Sequence, residues 1–189
     1  MTLYIQAKEG MKILAVGLLA GFIATLVVAG LIFAGEALMN YPHGLFYLII
    51  GYSLGFDGLD ALGMGIVMHI TAGALIGLVA SIPIVVVKRL FSVVSNFNTA
   101  LIYGIIVGVL VWLLFFLPVS YMLVMPTLES YSDITSDRSG RIINDLNLSF
   151  ARVIYYAIGL HIQYGIVYSM IIMAFMSRMI KYYSQRSEY

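Results

Sequence analysis

Two segments of this sequence combine a histidine and a glycine at the same spacing. They read His69-Ile-x-x-Gly73 and His161-Ile-x-x-Gly165, and each lies inside a long apolar run. The chain has only three histidines. Ionisable side chains are costly inside a bilayer, so a histidine there is a candidate for function. Because imidazole titrates near neutral pH, one chemistry that these residues suggest is a proton or ion path.

The neighbours of both histidines also favour a structural interpretation. Residues four apart share a helix face, so small side chains form a stripe around each ring. The two stripes are Gly65, His69, Gly73, Gly77 and Ala80, and Ala157, His161, Gly165 and Ser169. Small stripes let helices approach closely in lipid. We therefore expect each imidazole to lie in a helix contact, donating a hydrogen bond to a neighbouring helix.

A metal site is a further alternative. His43, His69 and His161 would suit zinc or copper, together with Glu36, Asp57 or Asp60. No two histidines stand one helical turn apart, and the chain has no cysteine to supply a thiolate. Our prediction is therefore that no cofactor is bound, with zinc or copper as the alternative. Ser81 and Ser169 lie in predicted helices with no visible acid–base partner, which favours a non-enzymatic role.

The composition is that of an all-α integral membrane protein. Of the 189 residues, 62% are hydrophobic and 10% are charged, and the mean hydropathy is +1.01. A soluble domain is usually about half apolar and a quarter charged. The net charge of +1 gives no reason to expect nucleic acid as a partner. We expect one membrane domain spanning residues 1–189.

Four apolar runs are long enough to cross a bilayer, which needs about 20 residues. They are 13–35, 61–87, 99–125 and 153–176. A fifth run, 44–56, is too short to cross, and we interpret it as an interfacial or re-entrant helix. The first run is longer than the hydrophobic region of a signal peptide, so we expect it to be retained as an anchor. A cleaved signal peptide is the alternative.

The basic residues orient these spans. Most of them precede the first span, separate the second from the third or follow the fourth, and cytoplasmic loops carry an excess of such residues. The residues concerned are Lys8, Lys12, Lys88, Arg89, Arg178, Lys181 and Arg186. We therefore predict a multi-pass protein of the cell membrane with both termini cytoplasmic. The segment 126–148 is then a polar loop on the outer side.

The spans also suggest a duplication. The first contains Gly17-x-x-x-Gly21 and the third contains Gly104-x-x-x-Gly108, each near the start of its run. The second and fourth contain the histidine motif. Each half is thus one GxxxG helix followed by one histidine helix, which predicts two repeated hairpins in the same orientation.

This layout resembles the YagU-like family of small, poorly characterised inner-membrane proteins. The resemblance consists of the paired helices, the connection Tyr41-Pro-His-Gly44 after the first span, and the histidines at 69 and 161. It covers most of the chain. It implies a small polytopic membrane protein and supplies no catalytic residues.

Two functions follow from these patterns. The first is a non-catalytic subunit that packs through its small-residue helix faces in a homo-oligomer or a larger membrane complex. The residues expected on those faces are Gly17, Gly21, His69, Gly73, Gly77, Gly104, Gly108, His161, Gly165 and Ser169. The alternative is a small transporter or channel for a proton, an ion or a small solute, using His69 and His161. A membrane enzyme with a bound metal is the third possibility.

Overall fold

The computed structural model describes residues 7–134 and 150–186, and all the regular structure of these residues is helical. Two π-helical segments, Trp112–Phe116 and Ser120–Val124, flank a short helix in the third span. In chain order the α-helices are α1 (Ala7–Leu38), α2 (Leu45–Ser53), α3 (Gly58–Val86), α4 (Lys88–Val93), α5 (Phe97–Val111), α6 (Leu117–Val119), α7 (Met125–Ile134) and α8 (Phe150–Arg186).

Four stretches of helix are long and apolar enough to cross a membrane, which confirms a multi-pass, all-helical membrane protein. They are Glu9–Leu38, Gly58–Val86, Phe97–Ser130 and Val153–Tyr182. The short apolar run at 44–56 contains a helix of its own, α2.

The third span continues beyond the point where we expected the outer loop to begin. We predicted a polar loop over 126–148, yet α7 keeps the chain helical as far as Ile134. The hydroxyls of Thr127 and Ser130 donate hydrogen bonds to backbone carbonyls of the same span. Leu128 is buried against Ile154. These contacts offset the polar character of the segment. Residues 135–148 of the predicted loop lie outside the described residues.

Pro118 lies inside this span without ending it. Proline lacks an N–H donor and its ring clashes with the carbonyl one turn earlier. The two π-helical segments lie immediately before and after α6, which contains Pro118. Wider turns of this kind rearrange the backbone hydrogen bonds beside an insertion or a proline. They explain how the helix passes the residue.

The chain divides into two compact units. The first takes in the chain up to Val27, Thr71–Gly108 and the chain from Ile162 onward. Its helices meet at glycines. A Cβ added at Gly21 would lie 2.8 Å from Gly77 Cα, and one added at Gly104 would lie 2.5 Å from the Gly165 carbonyl oxygen. Because real Cβ atoms do not approach other atoms within 3.0 Å, only glycine fits at these two positions.

The second unit comprises Val28–Ile70 and Val109–His161. It contains α2, which packs against α3 by a reciprocal pair of glycine contacts. A Cβ added at Gly51 would lie 2.5 Å from Ala61 Cα, and one added at Gly65 would collide with the Tyr47 carbonyl. Elsewhere in this unit, Trp112 Nε1 donates to the Ile154 carbonyl at 3.1 Å. The unit therefore combines backbone contact with polar links between helices.

Candidate functional site

A buried carboxylate holds the start of α2. Glu36 is only 5% exposed, although it stands near the end of α1. Its Oε2 accepts the Gly44 backbone N–H at 2.7 Å and its Oε1 accepts that of Phe46 at 2.9 Å. The first N–H groups of a helix have no partner within the helix and carry a partial positive charge. Glu36 therefore supplies both the hydrogen-bond acceptors and the opposite charge that this end needs.

The backbone at Gly44 makes this cap possible. Gly44 has φ of 82°, the left-handed region that glycine enters at little cost. An added Cβ would also approach Leu62. The turn thus directs the backbone N–H groups of Gly44 and Phe46 at the carboxylate of Glu36. We predicted Glu36 only as a candidate metal ligand on the outer side, and its role in positioning α2 was not anticipated.

Tyr47 and His69 lie together in a cluster of rings beside this cap. Tyr47 is 1% exposed, and its ring centroid lies 5.4 Å from that of His69. Phe46 contacts His69 edge-on at 5.5 Å, and Phe33 lies 5.3 Å from Tyr47. Burial, and to a lesser extent the negative charge of Glu36, raises the pKa of Tyr47 to about 12. At neutral pH the Tyr47 hydroxyl is therefore a hydrogen-bond donor.

Two polar atoms of this cluster are buried without a hydrogen-bond partner. Among the described residues, neither the Tyr47 hydroxyl nor His69 Nε2 has one. Leaving a buried polar group unsatisfied costs about 1–3 kcal/mol. Such groups call for an explanation, and the usual ones are strain, a catalytic or redox role, or a bound water or ion.

His161 is placed differently from His69. Its Nδ1 lies 2.7 Å from the Ala157 carbonyl of its own helix, and its ring lies 4.8 Å from that of Phe116. A carbonyl only accepts, so Nδ1 carries a proton and Nε2 is the free acceptor in the neutral ring. The prediction that His161 donates to a neighbouring helix is thus wrong. Its Nδ1 donates to a carbonyl of α8 itself, and the ring of Phe116 lies against the imidazole.

The residues considered as metal ligands are not brought together. Among the described residues, no three His, Cys, Asp or Glu side chains lie close enough to hold an ion. His43, Asp57 and Asp60 are exposed, and the two oxygens of Glu36 bind backbone amides. His69 and His161 do not join any such group.

The predicted glycines occupy helix contacts, but in a register that the motif did not indicate. Gly17 faces the Gly77 carbonyl and Ser81, while Gly104 faces Gly165 and Ser169. Gly73 instead faces the Thr25 side chain, and Gly108 is buried against Gly165. In these contacts Gly77 of α3 is the counterpart of Gly165 of α8. Aligning the two histidines would instead pair Gly165 with Gly73, which lies one turn earlier on α3.

Three tyrosines of the first unit form polar links that we did not predict. Tyr164 donates to the Gly73 carbonyl at 2.6 Å, and Tyr103 donates to the Ala80 carbonyl. The Tyr168 hydroxyl lies 2.7 Å from Ser81 Oγ, which itself donates to Gly77. Since Ser81 has one hydroxyl proton, Tyr168 is the donor to Ser81. The pattern that could have indicated these links is a tyrosine directly before Gly104, before Gly165 and before Ser169.

The carboxylate of Glu36 can be tested by replacing it with the neutral amide in Glu36→Gln. We expect the helix cap to weaken, because hydrogen bonds to a charged group are worth about 1.5–3 kcal/mol and neutral ones about half of that. Hydrogen exchange should then accelerate at the amides of Gly44 and Phe46 and leave those of α4 unchanged. Equal protection of α2 in both proteins would contradict the cap.

The second unit thus offers a cap that fixes α2 and, beside it, an unpartnered hydroxyl and imidazole nitrogen within a cluster of aromatic rings. The first unit offers glycine contacts and tyrosine links that are satisfied within the chain. The ring cluster of the second unit can exchange a proton or hold a small polar group, whereas the contacts of the first unit can only stabilise the fold. No known family model, curated protein or solved structure matches this chain.

Proposed function

We propose that this chain is a non-catalytic subunit of a membrane assembly, either a homo-oligomer or a larger complex. The observation that carries the proposal is Gln163, which is exposed within the fourth span. Its carboxamide makes no hydrogen bond to a described residue. Gln163 follows Val153, the start of the span, by about 15 Å along the helix axis. It therefore faces the apolar part of a bilayer.

A carboxamide in that position is costly unless another chain satisfies it. Transfer of an amide without hydrogen bonds from water to hydrocarbon costs roughly 4–8 kcal/mol. Polar side chains in spans therefore face other protein or water-filled space. A polar group contributed by a partner helix would satisfy the Gln163 side chain, and such bonds across helices contribute about 0.6 kcal/mol, with a maximum near 1.7.

The partner surface that we propose differs from the one expected from sequence. The glycines at 17, 21, 77, 104 and 165 are occupied by contacts within the chain, so they are not open to a partner. Gln163 instead shares its helix face with Val167, which lies one turn further along α8 and is only partly buried. The partner surface that we propose is this part of the face, where a neighbouring helix can reach the carboxamide.

The repeat remains part of this proposal. The matching contacts of Gly17 with Ser81 and of Gly104 with Ser169 support two related hairpins. They favour an alignment in which His69 corresponds to Ala157. In that alignment the histidines are not equivalent, in agreement with their different surroundings.

A small transporter or channel is the second candidate, and one observation favours it. Tyr47 and His69 present buried polar atoms that have no hydrogen-bond partner among the described residues, next to a buried carboxylate, and proton relays in membranes use carboxylates and histidines. His161 would take part through its free Nε2. The conducted species would be a proton, an ion or a small polar solute.

The subunit proposal predicts that Gln163→Leu weakens association. Losing one interhelical hydrogen bond of about 1 kcal/mol corresponds to roughly fivefold weaker binding. The mass of the gently solubilised protein should therefore shift towards the single chain. Asn98→Leu is the matched control, because it removes a carboxamide at the end of a span, where water can satisfy it. A wild-type protein that is monomeric and brings no partner would refute the proposal.

The transport candidate predicts that His69→Ala abolishes flux in proteoliposomes, because the unpartnered imidazole is then lost. His43→Ala is the control, since His43 is exposed and lies outside the ring cluster. Proton and ion flux would be followed under imposed gradients. Flux that never exceeds that of empty liposomes would eliminate this candidate.

A further inference from the structure

A groove between α1 and α8 combines an apolar wall with one basic end. Its volume is about 440 Å³, within the range of about 300–1,000 Å³ that is typical of ligand sites. Val16 contributes from α1, and the residues from α8 are Met170, Ile171, Ala174, Phe175 and Arg178. We propose that this groove binds an anionic phospholipid, with an acyl chain on the wall and the phosphate on Arg178.

The spacing along α8 sets the direction of the occupant. Ile171, Ala174 and Arg178 follow one another at intervals of three and four residues and so share a face. The apolar side chains come first and the guanidinium comes last. A lipid has the same order, with an apolar chain joined to a charged head.

Two further cations lie about one helical turn from residues that line the groove. Lys181 is exposed on α8 nearly one turn beyond Arg178, and Lys12 is exposed on α1 one turn before Val16. Glu9 is the acidic residue at this end of α1 and is half-buried. A guanidinium binds phosphate through two parallel hydrogen bonds. Basic pockets between spans bind the head groups of anionic lipids in the same way.

The chemistry of the groove favours an anionic phospholipid. An acyl chain is a single hydrocarbon strand and matches the apolar wall. A zwitterionic lipid would bring a cationic head group as well as its phosphate towards Arg178, Lys12 and Lys181, whereas a lipid with net negative charge brings no opposing cation. The occupant is therefore a phospholipid with net negative charge.

The test is the retention of defined lipids by the full-length protein. The chain would be stripped of lipid in detergent and mixed with phosphatidylglycerol or phosphatidylcholine, and native mass spectrometry would then count the lipids retained. Arg178→Gln removes the charge, and Ala174→Trp fills the groove. Arg89→Gln is the control, because it removes a charge at an exposed residue that does not line the groove.

We expect the wild type to retain one phosphatidylglycerol per chain. Arg178→Gln should retain it about fivefold more weakly, which is the effect of losing one basic side chain. Ala174→Trp should retain neither lipid, and Arg89→Gln should behave as wild type. Because Ala174 and Arg178 are both exposed, neither change disturbs the core. Wild-type retention by both groove variants, equal retention of phosphatidylcholine, or a protein chain bound in place of lipid would overturn the inference.

Discussion

Close approach of helix backbones at glycine is the constraint on which the rest of this structure depends. Lipid is as apolar as the side chains, so helices in a membrane gain little from hiding apolar surface and associate by packing and polar contacts. Gly21 and Gly77 allow α1 to meet α3, and Gly104 and Gly165 allow α5 to meet α8. The hydroxyl of Tyr164 adds a hydrogen bond from α8 to a carbonyl on α3.

The polar groups of these helices are of two kinds, those with a hydrogen-bond partner within the chain and those without one among the described residues. The tyrosines of the first unit and Glu36 of the second have their partners within the chain. Tyr47, His69 and Gln163 have none among the described residues. Since an unsatisfied polar group is expensive in lipid, these three are the residues that we propose a partner, a proton or a solute engages.

The apolar runs were sufficient to predict four spans, because length and hydropathy alone decide whether a helix can cross. The glycines at 17, 21, 77, 104 and 165 lie at helix contacts within the chain, whereas we expected them on faces that pack against a partner. The sequence did not reveal the register, since a short match within apolar segments carries little information on which turn faces which. Nor could it reveal the cap of α2, which depends on the left-handed turn at Gly44, or the π-helical passage around Pro118. Both are tertiary adjustments without a local pattern.

The most direct measurement of glycine-mediated packing compares two single substitutions by unfolding in detergent. Gly165→Ala places a methyl group against the backbone of α5, whereas Gly63→Ala places one where nothing lies within 4 Å. Overpacking should destabilise the first by about 1–3 kcal/mol. The second should be neutral or more stable by up to about 1 kcal/mol, because alanine favours helix. Equal effects of the two substitutions on the free energy of unfolding would contradict close backbone packing.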